Sequence, residues 1–324
     1  MYGTPGTLTP RADLLGAYNE RPVRFTGRIR EMITPVKTPG VEGSFPKIAA
    51  AQTTRVESTR VAKGGAYPRS DFTTTDGVYK LAAFGHEQTI TPLDRVKYKD
   101  AMPQLEQFKA NLALDIMYRG EEVDGITKML NTTKRPVNTG TLGHTAAVPW
   151  ATSATGDAAV DAAKANTNFR ANAAGIGPNF VAMNRAAMQS MSLQAAMLNR
   201  VRYTQRAGML LPLDFIAEIF QVDECIIVDE YKNTAKEGQT GVFSTVWSDS
   251  YVFLGRRGFN PDDLAEPAFA RTMYYDGPMA EMLGGLGMVE SYGEDPTKQD
   301  VVRAYSAIQQ NEIDDRLGYL IKID

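Results

Sequence analysis

The sequence is poor in the side chains that most often carry chemistry. One cysteine and two histidines stand among 324 residues. A single thiol excludes a disulfide within the chain. The setting of Cys225, Glu224-Cys225-Ile226-Ile227-Val228, reads as a buried strand in which the thiol is a packing group. His86 and His144 have no His or Cys at ligand spacing, and His86-Glu87 is not part of an HExxH pair. Both read as structural or surface residues, and no zinc pattern appears. No G-x-S-x-G elbow, P-loop or dinucleotide fingerprint is present. The cluster Gly284-Gly285-Leu286-Gly287 lacks the Lys-Ser/Thr ending of a phosphate loop and reads as a flexible loop. No apolar run is long enough to span a membrane. The first five residues lack the basic-then-apolar pattern of a secretory leader, so the sequon Asn131-Thr132-Thr133 has no glycosylation context.

Carboxylates are plentiful but adjacent: Glu121-Glu122, Asp262-Asp263 and Asp314-Asp315. Acid–base catalysis needs two carboxyls converging in a cleft, which sequence neighbours rarely do. These pairs read as solvated faces or as contacts to a partner's basic groups. The expectation is no catalytic residue, no cofactor and no metal. The net charge of −3 conceals an asymmetry: residues 1–80 carry 12 Lys and Arg against 7 Asp and Glu, residues 261–324 carry 5 against 13, and the middle is neutral. Opposite ends of the chain are expected to meet different neighbours.

What is present is architecture. Length and a hydrophobic content of 43% allow one or two cores. Residues 1–45 hold five prolines, with Pro46 next, and sparse, aperiodic apolar residues, apart from a possible short helix over 11–18. Proline fixes φ and restricts its predecessor, so the rest reads as an extended arm. Residues 47–82 read as a long polar β-hairpin with a loose tip, too poor in apolar residues to make its own core. From residue 102 the period changes. Leu105, Phe108, Leu112, Ile116, Val123, Ile126 and Leu130 recur at mostly three- and four-residue spacing. They predict an amphipathic helix to residue 130, roughly 40 Å long, that Gly120 and Gly125 bend or weaken.

Further on, residues 157–174 read as an Ala-rich helix and 180–183 as a strand. Asn184 caps a following helix whose Met188, Met191, Ala195 and Leu198 share one face, and the methionines read as core. Residues 213–220 form a shorter helix, and Cys225 to Val228 a buried strand. Residues 242–247 and 251–254 flank Ser248-Asp249-Ser250 and read as a hairpin. Residues 301–320 allow one or two strands. The class is mixed α+β without a solenoid repeat.

In this order the segments resemble the major capsid proteins of tailed bacteriophages, with the Hong Kong 97-type fold. Residues 101–130 look like that family's spine helix. The run Gly175-Ile176-Gly177-Pro178-Asn179-Phe180-Val181-Ala182-Met183-Asn184 looks like its Pro-Asn, strand, helix passage. Residues 220–228, then Tyr231-Lys232-Asn233-Thr234-Ala235 and Glu237-Gly238, are similar to its axial-domain core, and 243–254 with Trp247-Ser248-Asp249 to the strands after it. The resemblance implies an N-terminal arm (1–45), an extended hairpin or E-loop (46–84), a peripheral domain (85–149 and 288–324) and an axial domain (150–287).

It further implies a shell protein and not an enzyme. Such a protein self-assembles as hexamers and pentamers into an icosahedral head around double-stranded DNA. It sits in the virion, and in the host cytoplasm during assembly, with no membrane contact. The implied partners are a separate scaffolding protein, since the arm begins at once, a portal, cement or decoration proteins, and DNA held non-specifically. Arg21, Arg24, Arg28 and Arg30 are the arm's candidates for acidic neighbours or phosphate. Lys63 and Lys80 lie where some members cross-link, but no Asn partner is identifiable, so that activity is not carried over. An encapsulin-like nanocompartment shell shares the fold, and a soluble oligomeric enzyme with an unfamiliar carboxylate site is the alternative from another class.

Overall fold

The described part of the chain enters its own core almost at once. In a computed structural model, the residues described are 27–48, 56, 60, 61, 65, 67, 69, 74–98, 102–152, 155–202, 211–236, 238–263, 266–278 and 280–324. The helix expected over 11–18 and the hairpin tip, including Lys63, therefore lie outside the described residues, as do Arg21 and Arg24.

A helical turn, α1 (Ile29–Met32), and a strand, β1 (Pro35–Thr38), bury Ile29, Met32, Ile33 and Val36. This part of the segment read as an extended arm therefore packs against the chain's own core. Four well-spaced apolar residues suffice because a ready-made surface waits for them. Strands β2 (Glu42–Ile48) and β3 (Thr74–Lys80) pair antiparallel as the hairpin stem. β4 (Ala82–Ile90) follows, then α2 (Pro92–Lys97), opened by a capping box between Thr91 and Asp94 with proline in the first turn. The long helix α3 (Met102–Met129) runs without interruption through both glycines. Gly125 serves close approach rather than bending: a Cβ there would collide with Ile29 of α1.

Next come β5 (Gly143–Thr145), α4 (Ala158–Asn172) capped by Asp157, and β6 (Phe180–Met183). Asn184 caps α5 (Arg185–Ser192), its side chain accepting from the Ala187 N–H. That helix ends at Leu193, and α6 (Ala195–Arg202) starts anew. The predicted common face is thereby corrected: Met188, Met191 and Met197 are buried, whereas Ala195 and Leu198 are exposed. α7 (Leu213–Phe220), β7 (Glu224–Ile227), β8 (Tyr231–Asn233), β9 (Phe243–Thr245) and β10 (Tyr251–Gly255) follow. The chain closes with β11 (Ala270–Tyr275), α8 (Ala280–Leu283), β12 (Met288–Glu294), β13 (Gln299–Glu312) and β14 (Gly318–Lys322).

Two five-stranded sheets organise these elements. One has the order β5-β14-β10-β6-β7 and is filled by Trp150, Phe169, Phe180, Phe220, Trp247 and Phe253. In the other, β13 pairs with β4 on one side and with β12 and then β11 on the other, while β1 adds parallel to β11. α3 lies on β4 and β13. The expected hairpin of 242–254 does not form. β9 pairs with β8 in a separate ribbon, and β10 sits between β14 and β6. Trp247 decides this: it is fully buried and donates to the Tyr251 carbonyl (2.8 Å), so the chain turns into the core instead of doubling back.

Candidate assembly surface

The hairpin stem is joined by reciprocal ring-over-glycine pairs. Gly43 lies opposite Tyr79, and Phe45 opposite Gly77. Each ring occupies the space a Cβ on the facing glycine would take. Both rings are buried in a small cluster with Val36, Leu81, Met273 and Ala307. Polar bonds tie the stem to β13: the Lys80 N–H donates to Gln309 Oε1 (2.7 Å), and Asn311 Nδ2 to the Val78 carbonyl (3.0 Å). Lys80 itself pairs with Glu42 (2.6 Å) on the exposed side. Beyond the stem the side chains lose cover, with Val56 at 95% and Tyr67 at 81% exposure.

A second attachment point lies where α1 meets α3. Arg30 forms a bidentate pair with Glu121 (3.0 and 2.7 Å) and stacks on Tyr118 (4.7 Å). Glu122 accepts the backbone N–H groups of Ile29 (2.9 Å) and Arg28 (3.2 Å) at the start of α1. This corrects the reading of Glu121-Glu122 as solvated: both are buried, and they hold basic and amide groups of their own chain. Burial pushes the Glu122 carboxyl up to about 7, against the two amide bonds that pull it down. Arg28 also pairs with Glu31 (2.7 Å) at the surface.

The third feature is apolar surface left open. The stripe predicted on the long helix is only partly covered, with Phe108 and Ile116 exposed, and the face turned inward carries Ala113, Met117, Ile126 and Met129. Pattern alone could not separate these faces, because small and charged residues, including Glu121 and Glu122, take part in the burial. Beside it, α2 buries none of its residues and leaves Leu93 and Val96 more than three-quarters exposed. Tyr231 and Phe243 are exposed on the β8–β9 ribbon.

The structure also places the two histidines, the cysteine and the remaining carboxylate pairs. His144 is buried, with Nδ1 3.1 Å from the Tyr319 hydroxyl and Nε2 3.5 Å from Asp161, which in turn accepts from Trp150 Nε1 (2.9 Å). His86 contacts Gln88 (2.9 Å) beside the exposed face of β4. Burial pushes the Cys225 thiol up to about 12, which removes its nucleophilic form at neutral pH. Asp262 pairs with Lys37 (3.5 Å), Asp314 with Arg316 (2.8 Å), and Asp315 lies 3.8 Å from Arg135. Residues 284–287 form the turn between α8 and β12. Among the described residues no cluster of three His, Cys, Asp or Glu side chains is arranged to hold a metal ion, and no helix is long and apolar enough to cross a membrane.

No protein-family model and no curated protein matches the sequence. Solved structures do match. A phage-related protein from Bordetella bronchiseptica aligns with a TM-score of 0.68 at 19% identity, covering 96% of this chain and 95% of the other. A chain of Mycobacterium phage Adephagia gives 0.57 at 10%, over 98% and 99%. The protein of a virus-like particle from Pyrococcus furiosus gives 0.53 at 11%, over 95% and 96%. Segment order, sheet topology and end-to-end superposition agree: this chain has the capsid fold of the Hong Kong 97 type.

Proposed function

We propose that this chain is the major capsid protein of a tailed phage. Copies of it would associate as hexamers and pentamers into the icosahedral head that encloses double-stranded DNA. The observation that carries the reading is the uncovered apolar surface on α2 and α3, together with the exposed Val56 and Tyr67 beyond the hairpin stem. Monomeric proteins rarely leave such patches open, and a sister subunit's hairpin is the occupant the fold offers. In this reading residues 1–45 are the arm and 46–84 the E-loop. Residues 85–149 and 288–324 make the peripheral domain, and 150–287 the axial domain, with β11 lent to the peripheral sheet and β5 and β14 to the axial one. A scaffolding protein, a portal and decoration proteins complete the set of partners, DNA contact is non-specific, and no catalysis is assigned.

Negative-stain microscopy of the purified protein tests this directly. Hollow, uniform particles support it; compact small oligomers refute it. A nanocompartment shell is the second reading, favoured by the likeness to the Pyrococcus furiosus particle. Particle content separates the two: DNA in shells from infected or induced cells for a phage head, and an enclosed protein cargo for a compartment.

A further inference from the structure

The described chain passes between the two five-stranded sheets three times: from α3 to β5 (130–142), from β10 to β11 (256–269) and from β13 to β14 (313–317). One fully buried side chain, Arg135 in the first crossing, touches all three. Its Nη1 donates to the last two carbonyls of α3, Lys128 (2.8 Å) and Met129 (3.2 Å), at the negative end of that helix. Its Nη2 donates to Glu312 (3.0 Å), the final residue of β13, and lies 3.8 Å from Asp315 in the third crossing. The guanidinium sits 4.4 Å from the ring centre of Phe269, at the end of the second crossing, and 5.7 Å from that of Phe253 in β10. Gly318, at the start of β14, makes room for it: a Cβ there would come within 3.0 Å of the Arg135 Nε.

Arg271 is equally buried, but its partners Asn260, Asp263 and Glu266 all belong to the second crossing. Arg135 differs in reaching from one sheet to the other. Burial pushes the carboxyl of its partner Glu312 up, but the bonds from Lys134 and Arg135 outweigh it and hold the group below the usual carboxylate range. A charged pair inside a protein adds little net stability, because desolvation offsets the attraction; what it adds is a fixed geometry. The rigid fork of a guanidinium holds several acceptors at set angles, which an ammonium does not. We propose that Arg135 is the joint between the two sheets: it gathers all three crossings on one rigid group and fixes the angle at which the sheets meet, with Glu312 as its latch. The inference concerns one subunit and stands whether or not the shell reading holds.

Spin labels on dispersed, full-length subunits test it. Thr89→Cys on β4 and Val160→Cys on α4 place one exposed label on each side of the joint, and buried Cys225 stays in place. Double electron–electron resonance then reads the distance between the sheets, and hydrogen exchange in β10 and β13 reads the fold of each. The native sequence is expected to give one narrow distance distribution. Glu312→Gln and Arg135→Lys should each broaden it about twofold or more while β10 and β13 keep their protection. Lys134→Gln, which removes only the outer partner of Glu312, should leave it narrow. Glu312→Gln preserves the shape of the side chain and answers the question even where Arg135→Lys fails to fold. An unchanged width in Glu312→Gln overturns the proposal. So does broadening that comes with lost protection in β10 or β13, which would make Arg135 ordinary core, and so does equal broadening in Lys134→Gln, which would assign the hold to the exposed pair.

Discussion

The two sheets are held together by different physics. The sheet containing β10 encloses both tryptophans and most of the buried phenylalanines in one continuous cluster, and all four residues of β6 are buried. The sheet containing β13 has two small clusters, one of six residues and one of three. It relies on polar ties: Arg303 between Glu87 (2.6 Å) and Glu290 (3.0 Å), Arg95 with Asp300, and Lys134 with Glu312. Exposed pairs such as those of Arg303 contribute about 0–1 kcal/mol each, whereas burying one large apolar side chain contributes about 1.5–3 kcal/mol. The first sheet is thus a self-sufficient core. The second leaves part of its apolar surface uncovered within the subunit.

The comparison breaks most visibly at Phe253, which touches Phe180, Phe269 and the buried Arg135. Phe253→Ala should cost about 3–5 kcal/mol and lower the midpoint of chemical denaturation for the whole subunit. Glu122 gives the next effect, through pH. Its folded value of about 7 lies above the ordinary 4.5, so the folded state holds the proton more tightly. The associated stability is fully present below about 4.5 and is lost as pH rises through about 7, up to roughly 3 kcal/mol. Denaturation midpoints measured from pH 4.5 to 8 should fall in the wild type over that window and stay nearly level in Glu122→Gln.

A smaller and more local cost is expected for Gly77→Ala, whose methyl would displace the Phe45 ring. About 1–3 kcal/mol should appear as faster exchange in the hairpin stem, with β10 unaffected. Val96→Glu sharpens the contrast from the other side. The residue is 79% exposed, so subunit stability should move by less than about 0.5 kcal/mol. Particle yield by sedimentation should nevertheless collapse, and an unchanged yield would remove α2 from the contact.

Much of this was legible in the sequence because it is local. Asp157 and Asn184 announce their helices through capping, and the period of residues 102–129 announces α3. The strand around Cys225 follows from its apolar run. What escaped depends on distant partners. β1 reads as irregular because its mate, β11, lies near the other end of the chain. The burial of Glu121 and Glu122 requires α1 to bring two amides and a guanidinium, which no spacing rule within α3 reveals. The candidate surface was half visible. A hairpin without a core could be read from composition, but the exposure of Leu93 and Val96 became clear only once α2 was found to bury none of its residues.

The stem strand β3 passes through Leu81 directly into β4, whose nine residues are all in register with β13. A pull on the hairpin therefore acts along β4 and strains its rungs to β13 in shear, all at once, instead of peeling them apart one by one.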